Sequence, residues 1–125
     1  MINPTPYFSA PVYSGKITTS TTSARFDKAS NHSPDTNPNT GKKYDLPTKV
    51  NFPAMVRFIN QDATDKVYLS SDTAAASTSF HTMLGVASGT NPTYMIDMSM
   101  DYAMFQSLTV IASANTPAVR IIVFA

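Results

Sequence analysis

Thr93-Tyr94-Met95-Ile96-Asp97-Met98-Ser99-Met100-Asp101 alternates residue by residue. Tyr94, Ile96, Met98 and Met100 are apolar, and only Met95 interrupts the polar set between them. A period of two places one set on each face of an extended chain, which is the pattern of a half-buried β-strand. A helix from Pro92 to Gln106 is the competing reading, because Met and Ala are good helix formers. The alternation takes precedence, and the chain is read outward from here as a β protein.

Upstream, Val56-Arg57-Phe58-Ile59 reads as a strand closed by the turn residues Asn60 to Asp65. Lys66-Val67-Tyr68-Leu69 follows and reads as its hairpin partner. Phe80 to Val86 is a further strand candidate, ended by Ser88-Gly89-Thr90-Asn91-Pro92. Downstream, Leu108–Ala112 and Val119–Phe124 are expected to form a closing hairpin across Asn115-Thr116-Pro117. The last strand is apolar on both faces apart from Arg120, as in a strand covered on both sides in a sandwich or at an interface.

The first 52 residues differ, holding most of the Pro and Asn, together with many Ser and Thr and only short apolar stretches. Two prolines in the first six residues favour an extended arm. Pro11-Val12-Tyr13 reads as a short edge strand, and Thr18–Ser23 is nearly all Ser and Thr. Ala29–Lys43 (ASNHSPDTNPNTGKK) has the composition of a long polar loop. Strand character restarts at Tyr44-Asp45-Leu46 and Lys49-Val50-Asn51-Phe52. Seven to nine short strands with turn signals between them, and no internal repeat, predict an all-β domain. The expected architecture is a single β-sandwich of jelly-roll or Greek-key type over residues 11–125, with an N-terminal arm at 1–10 and a long polar loop at 29–43.

Composition narrows the function. The 125 residues suffice for one domain. No cysteine is present, so disulfides and thiolate metal sites are excluded. Charged residues are only 14% of the chain and every acid is an aspartate, a low charge density that suits surfaces meeting other protein. The net charge of +1 gives no footprint for nucleic acid or an anionic membrane. The first 50 residues are net basic and the remainder net acidic, which raises head-to-tail complementarity between copies. No apolar run approaches a membrane span, and the N-terminus lacks the basic and apolar regions of a signal peptide.

A search for chemistry is largely negative. The four glycines form no phosphate loop. His32 and His81 show no ligand spacing, and a match of either to one of many serines and an aspartate carries little weight. Asp62 with Asp65, and Asp97 with Asp101, lack the dense oxygen ligands of a calcium loop and read as turn-forming or solvated groups. Trp is absent, so a sugar platform would rest on tyrosines. Lys42-Lys43 beside Tyr44 falls far short of a nucleic-acid groove. The seven methionines, four of them between Met95 and Met104, suit either an irregular core or a subunit contact. No catalytic residue, metal or cofactor is expected.

The order VRFIN (56–60), a turn, KVYLSSD (66–72), a Ser/Thr/Ala-rich stretch, a Gly/Pro turn, an alternating strand, LTVIASA (108–114), a turn and VRIIVFA (119–125) resembles small β-sandwich virion proteins of bacteriophages. Capsid decoration proteins, head-fibre bases and vertex (penton) proteins share this layout. The passage through PVYSG (11–15) and KKYDL (42–46) is similar to the penton proteins of tailless, membrane-containing phages. The resemblance implies a non-enzymatic subunit of the virion, assembled in the host cytoplasm. It further implies trimers or pentamers joined edge to edge, with an arm or loop gripping the major capsid protein or another neighbour. Partner contacts are expected at Ile2, Pro4, Pro6, Tyr7 and Phe8 of the arm, at Lys42 and Lys43, and at Ile122 and Phe124. A tail, baseplate or glycan-binding receptor module is the alternative reading.

Overall fold

The computed structural model describes residues 11–71, 80–87, 94–117 and 119–125. The arm at 1–10, with Ile2, Pro4, Pro6, Tyr7 and Phe8, lies outside them, as does the expected turn at 88–92. Within the described residues the strands are β1 (Tyr13–Ile17), β2 (Ala24–Arg25), β3 (His32–Pro34), β4 (Ala54–Asn60), β5 (Val67–Ser70) and β6 (Thr82–Leu84). After them come β7 (Met95–Met100), helix α1 (Tyr102–Ser107), β8 (Thr109–Ala112) and β9 (Val119–Phe124). Two antiparallel sheets result, one in the order β3-β1-β9-β4-β7 and the other β2-β8-β5-β6.

If β3 is set aside, each remaining strand of the first half pairs with its mirror in the second. β1 pairs with β9, β2 with β8, β4 with β7 and β5 with β6. The chain is thus one long antiparallel ribbon folded over on itself, with successive strands mostly alternating between the sheets. The two inner faces meet in one core. β4 and β9 contribute Val56, Phe58, Val119, Ile121 and Val123, and the opposite sheet contributes Val67, Leu69, Leu84 and Val110. Fully burying each such side chain is worth about 1.5–3 kcal/mol, and no disulfide is available to substitute for that burial.

The alternation at 94–101 behaves as a strand. Met95, Asp97 and Ser99 are exposed, Ile96 and Met98 half-buried, and Met100 buried. Helix enters only where the alternation stops. Asp101 takes the N-cap, accepting a hydrogen bond from Met104 N at 2.8 Å, and starts α1. The single buried residue of α1 is Phe105, which stacks on Phe52 at 4.6 Å between centroids and meets Phe26 edge-on at 5.7 Å. That cluster closes one end of the sandwich.

Several expectations are corrected by the pairing. β4 and β5 are not a hairpin, nor are β8 and β9: in each case the two strands lie in different sheets. Sequence proximity favoured hairpins, but a chain that crosses between sheets buries both inner faces at once. The strand starting near Tyr13 is not an edge strand, because β1 lies between β3 and β9. Its outer neighbour comes from the stretch expected to be a loop: His32–Pro34 pairs with Gly15–Ile17, and Thr36 bridges to Lys43. Tyr44–Leu46 and Lys49–Phe52 are not strands, and a 3-10 turn runs over Pro47–Lys49. In β9 only Val119, Ile121 and Val123 are fully covered, while Ile122 and Phe124 on the other face remain half-buried. Gly15 permits the close approach of β1 and β3, since a β-carbon there would overlap the Tyr13 hydroxyl and lie 2.6 Å from the Ser33 carbonyl oxygen.

The crossing from β4 to β5 depends on Asn60, which is fully buried. Its amide donates to the carbonyls of Asp65 at 2.8 Å and Gly85 at 3.0 Å, and its side-chain oxygen accepts from Asp62 N at 3.1 Å. Asn60→Ala leaves these groups buried without their partner. The expected loss is about 3 kcal/mol of unfolding free energy. Urea unfolding of the two proteins checks this, and a loss below about 1 kcal/mol would contradict the role given to Asn60.

Candidate interaction surface

Of the residues expected to meet partners, the four that are described, Lys42, Lys43, Ile122 and Phe124, fall in two adjoining places. The first is the outer face of the five-stranded sheet. Register sets Arg57 beside both Ile122 and Asp97, and Met55 beside both Phe124 and Ser99. The next row holds Ile59 between Arg120 and Met95. The face is therefore a band of partly exposed Met, Ile and Phe, with Met95 51% exposed. Two ion pairs cross it. Arg57 grips Asp97 with both its Nε (2.8 Å) and a terminal nitrogen (3.1 Å), while its guanidinium carbon lies 5.8 Å from the Phe124 ring centroid. Arg120 bonds Asp35, which also accepts from Ser14 Oγ at 2.9 Å. Burial pushes the Asp35 carboxyl up, but the Ser14 and Arg120 hydrogen bonds outweigh it and hold the group below the usual carboxylate range.

The second place is the end of the sandwich where the chain enters. Val12 N donates to Val123 O at 2.8 Å, so the first described residues lie against the start of β1 and the end of β9. Lys42 and Lys43 line one groove there, of about 600 Å³, together with Pro11, Val12 and Tyr44. A second groove of about 550 Å³ runs between Val12, Leu46, Val50, Phe52 and Ala125. The fold thus brings Lys42 and Lys43 to the point from which residues 1–10 depart, with Val12 41% exposed between the two grooves. Ile122 and Phe124 are on the sheet face and not in these grooves. Sequence reading did not single out Val12, Leu46 or Met55; their apolar type in a polar context was the available signal.

The candidate chemical groups have structural roles here. Asp62 accepts from Thr64 N, from Thr64 Oγ1 and from Asp65 N, and these bonds, the backbone one from Thr64 foremost, hold its carboxyl low. Asp65 accepts from Asn115 Nδ2 at 3.1 Å. Among the described residues no group of three or more His, Asp or Glu side chains is placed to hold a metal ion. His81 Nδ1 accepts the Ser71 backbone N–H at 3.2 Å, with Ser71 Oγ equally distant. The four methionines divide: Met100 is core, Met98 and Met104 pack against it, and Met95 is exposed. No described helix is long and apolar enough to cross a membrane.

His32 is buried between the edges of Tyr13 and Phe26, with Nε2 2.6 Å from the Phe26 carbonyl. Burial lowers its pKa below the ordinary 6.5, more than that hydrogen bond raises it. The unfolded chain then binds a proton that the folded chain resists, so stability is complete above about pH 6.5 and falls as the pH drops below it. The urea midpoint should decline between about pH 7 and pH 5, and His32→Gln should flatten that decline. An unchanged slope in the variant would assign the effect elsewhere.

Comparison with protein-family models, curated proteins and solved structures finds no match to this chain.

Proposed function

We propose that this chain is a non-enzymatic structural subunit of a bacteriophage virion, either a capsid vertex (penton) protein or a decoration protein. It oligomerises as a trimer or pentamer and holds the major capsid protein through its N-terminal arm and loops. Assembly takes place in the host cytoplasm, and the chain remains in the particle.

One observation carries the reading: the mirror pairing of β1 with β9, β2 with β8, β4 with β7 and β5 with β6. A ribbon folded over in this way supports reading the sandwich as an eight-stranded, double-sheet jelly roll, an architecture used in viral capsid and lectin domains. The sequence resemblance to phage virion proteins selects the capsid branch of that pair, and β3 is an addition at one edge. The surface supports the same branch. Its apolar band around Met55, Met95, Ile122 and Phe124 is broken by the Arg57–Asp97 pair, already satisfied within the chain, so a neighbour can cover that band without stranding either charge. The entrance grooves, with Lys42 and Lys43, lie where the arm leaves the sandwich and suit a contact that continues from arm to loop.

Native mass measurement of the full chain is expected to show a trimer or pentamer. A chain lacking residues 1–10 is expected to keep its unfolding transition, because the core runs from Tyr13 to Val123, and to bind the shell protein at least tenfold more weakly. A strict monomer at high concentration, with no affinity for a shell protein, overturns the reading. Retention of a specific glycan by the isolated chain would instead favour a receptor-binding module.

A further inference from the structure

The outer edge of β7 is unlike the other edges of the two sheets. Antiparallel strands direct alternate residues toward and away from a given neighbour. Asn60 N donates to Tyr94 O at 2.8 Å, and in the register of β4 with β7 this turns Tyr94, Ile96, Met98 and Met100 toward β4. The backbone N–H and C=O groups of Met95, Asp97 and Ser99 therefore point to the free side, where among the described residues no strand pairs with β7. Edges are ordinarily blunted by short length, Pro or Lys. β2 has two residues, β6 has three, and β3 has three and ends in Pro34. β7 has six residues, no Pro and no Lys, and Arg57 already neutralises its one charge, Asp97.

The first residues of the chain have a complementary pattern. Pro4 and Pro6 are two apart. Proline has no N–H, so in an added strand both must face away from the sheet. That constraint alone turns Asn3, Thr5 and Tyr7 toward the receiving edge. Residues opposite one another in a hydrogen-bonded pair share a face, so Asn3, Thr5 and Tyr7 join exposed Met95, Asp97 and Ser99 on the outer face. Ile2, Pro4, Pro6 and Phe8 then fall on the inner side, next to Ile96 and Met98, both half-buried in the described structure. Met98, Met104, Leu69 and Leu108 also line a slot of about 170 Å³ between the sheets that an apolar side chain can enter. The parity demanded by the prolines and the parity demanded by polarity are the same.

We infer that residues 2–9 of one copy add as an antiparallel strand to the β7 edge of a second copy. The donor is not the same copy. From Pro11 at β1, the arm would cross four strand spacings, about 19 Å, which uses about six of its ten residues at about 3.3 Å each. Too few remain to pair along β7. The inference rests on the proposed assembly and assigns the arm to a sister subunit, leaving the entrance grooves and Lys42-Lys43 for the shell.

The absence of cysteine makes a direct test possible. Full-length Thr5→Cys and Asp97→Cys chains are co-expressed, purified together and oxidised. A disulfide between the two single variants is expected, since opposed residues in neighbouring strands come within bonding reach. Asn3→Cys and Tyr7→Cys, each with Ser99→Cys, cover two antiparallel registers and avoid the Arg57 ion pair. Thr5→Pro, which removes an inward N–H, should weaken self-association at least tenfold. An oligomer with no cross-link to β7, or one that links Thr5→Cys to Ser33→Cys at the β3 edge, overturns the donated strand and leaves the assembly reading intact. A monomer in every mixture overturns both.

Discussion

A few buried hydrogen bonds at one end of the sandwich hold the rest of it in place. Asn60 joins the end of β4 to the carbonyls of Asp65 and Gly85. Asp65 in turn receives Asn115 from the connection between β8 and β9, and Ser113 exchanges hydrogen bonds with Lys66. The crossings from β4 to β5 and from β8 to β9 meet here. Asn115 takes a left-handed backbone conformation (φ 55°), which asparagine tolerates better than most residues and which aims its amide at Asp65. Without these bonds the same strands retain their alternation but lose what distinguishes an inter-sheet crossing from a hairpin.

The opposite end is closed by aromatic packing instead. Phe105 on α1, Phe52 before β4 and Phe26 after β2 come from distant parts of the chain, and Phe105 packs against both of the other rings. This end also carries the entrance of the N-terminal residues and the grooves beside Lys42 and Lys43. The molecule thus has one polar end that fixes topology and one apolar end that borders its candidate contacts. The sheet face between them is neither fully covered nor freely solvated, with Ile122 and Phe124 half-buried beside a satisfied ion pair.

The outer face also shows where some of the few charges of this sparsely charged protein are used. Arg57, Asp97, Arg120 and Asp35 are engaged with one another across strands, while exposed Lys16 lies on the same face opposite Arg120. Exposed pairs of this kind contribute little to stability, on the order of 1 kcal/mol or less. Their effect here is mainly to interrupt the apolar band. The edge of β7, which no strand covers among the described residues, lacks such an interruption along its backbone, which sets it apart from β3 at the other side of the same sheet.

The strand β7 was legible in the residues because alternation is a local consequence of one buried face, whereas β4 and β9 were legible as short apolar runs bounded by turn residues. The end of β7 was legible too, although the competing helix proved to start one residue beyond it, at the Asp101 cap. β3 was not legible: His32-Ser33-Pro34 has no apolar period and is a strand only because β1 offers it an edge. The expected contacts at Lys42 and Lys43 were placed by residue type, but their position beside Val12 follows from the fold. The sequence by itself determined the β class, because period-two burial and turn chemistry act between near neighbours. Tertiary structure alone decided which strands pair, since hairpin and crossing satisfy the same local pattern and differ only in whether Asn60 and two inner faces find their distant partners.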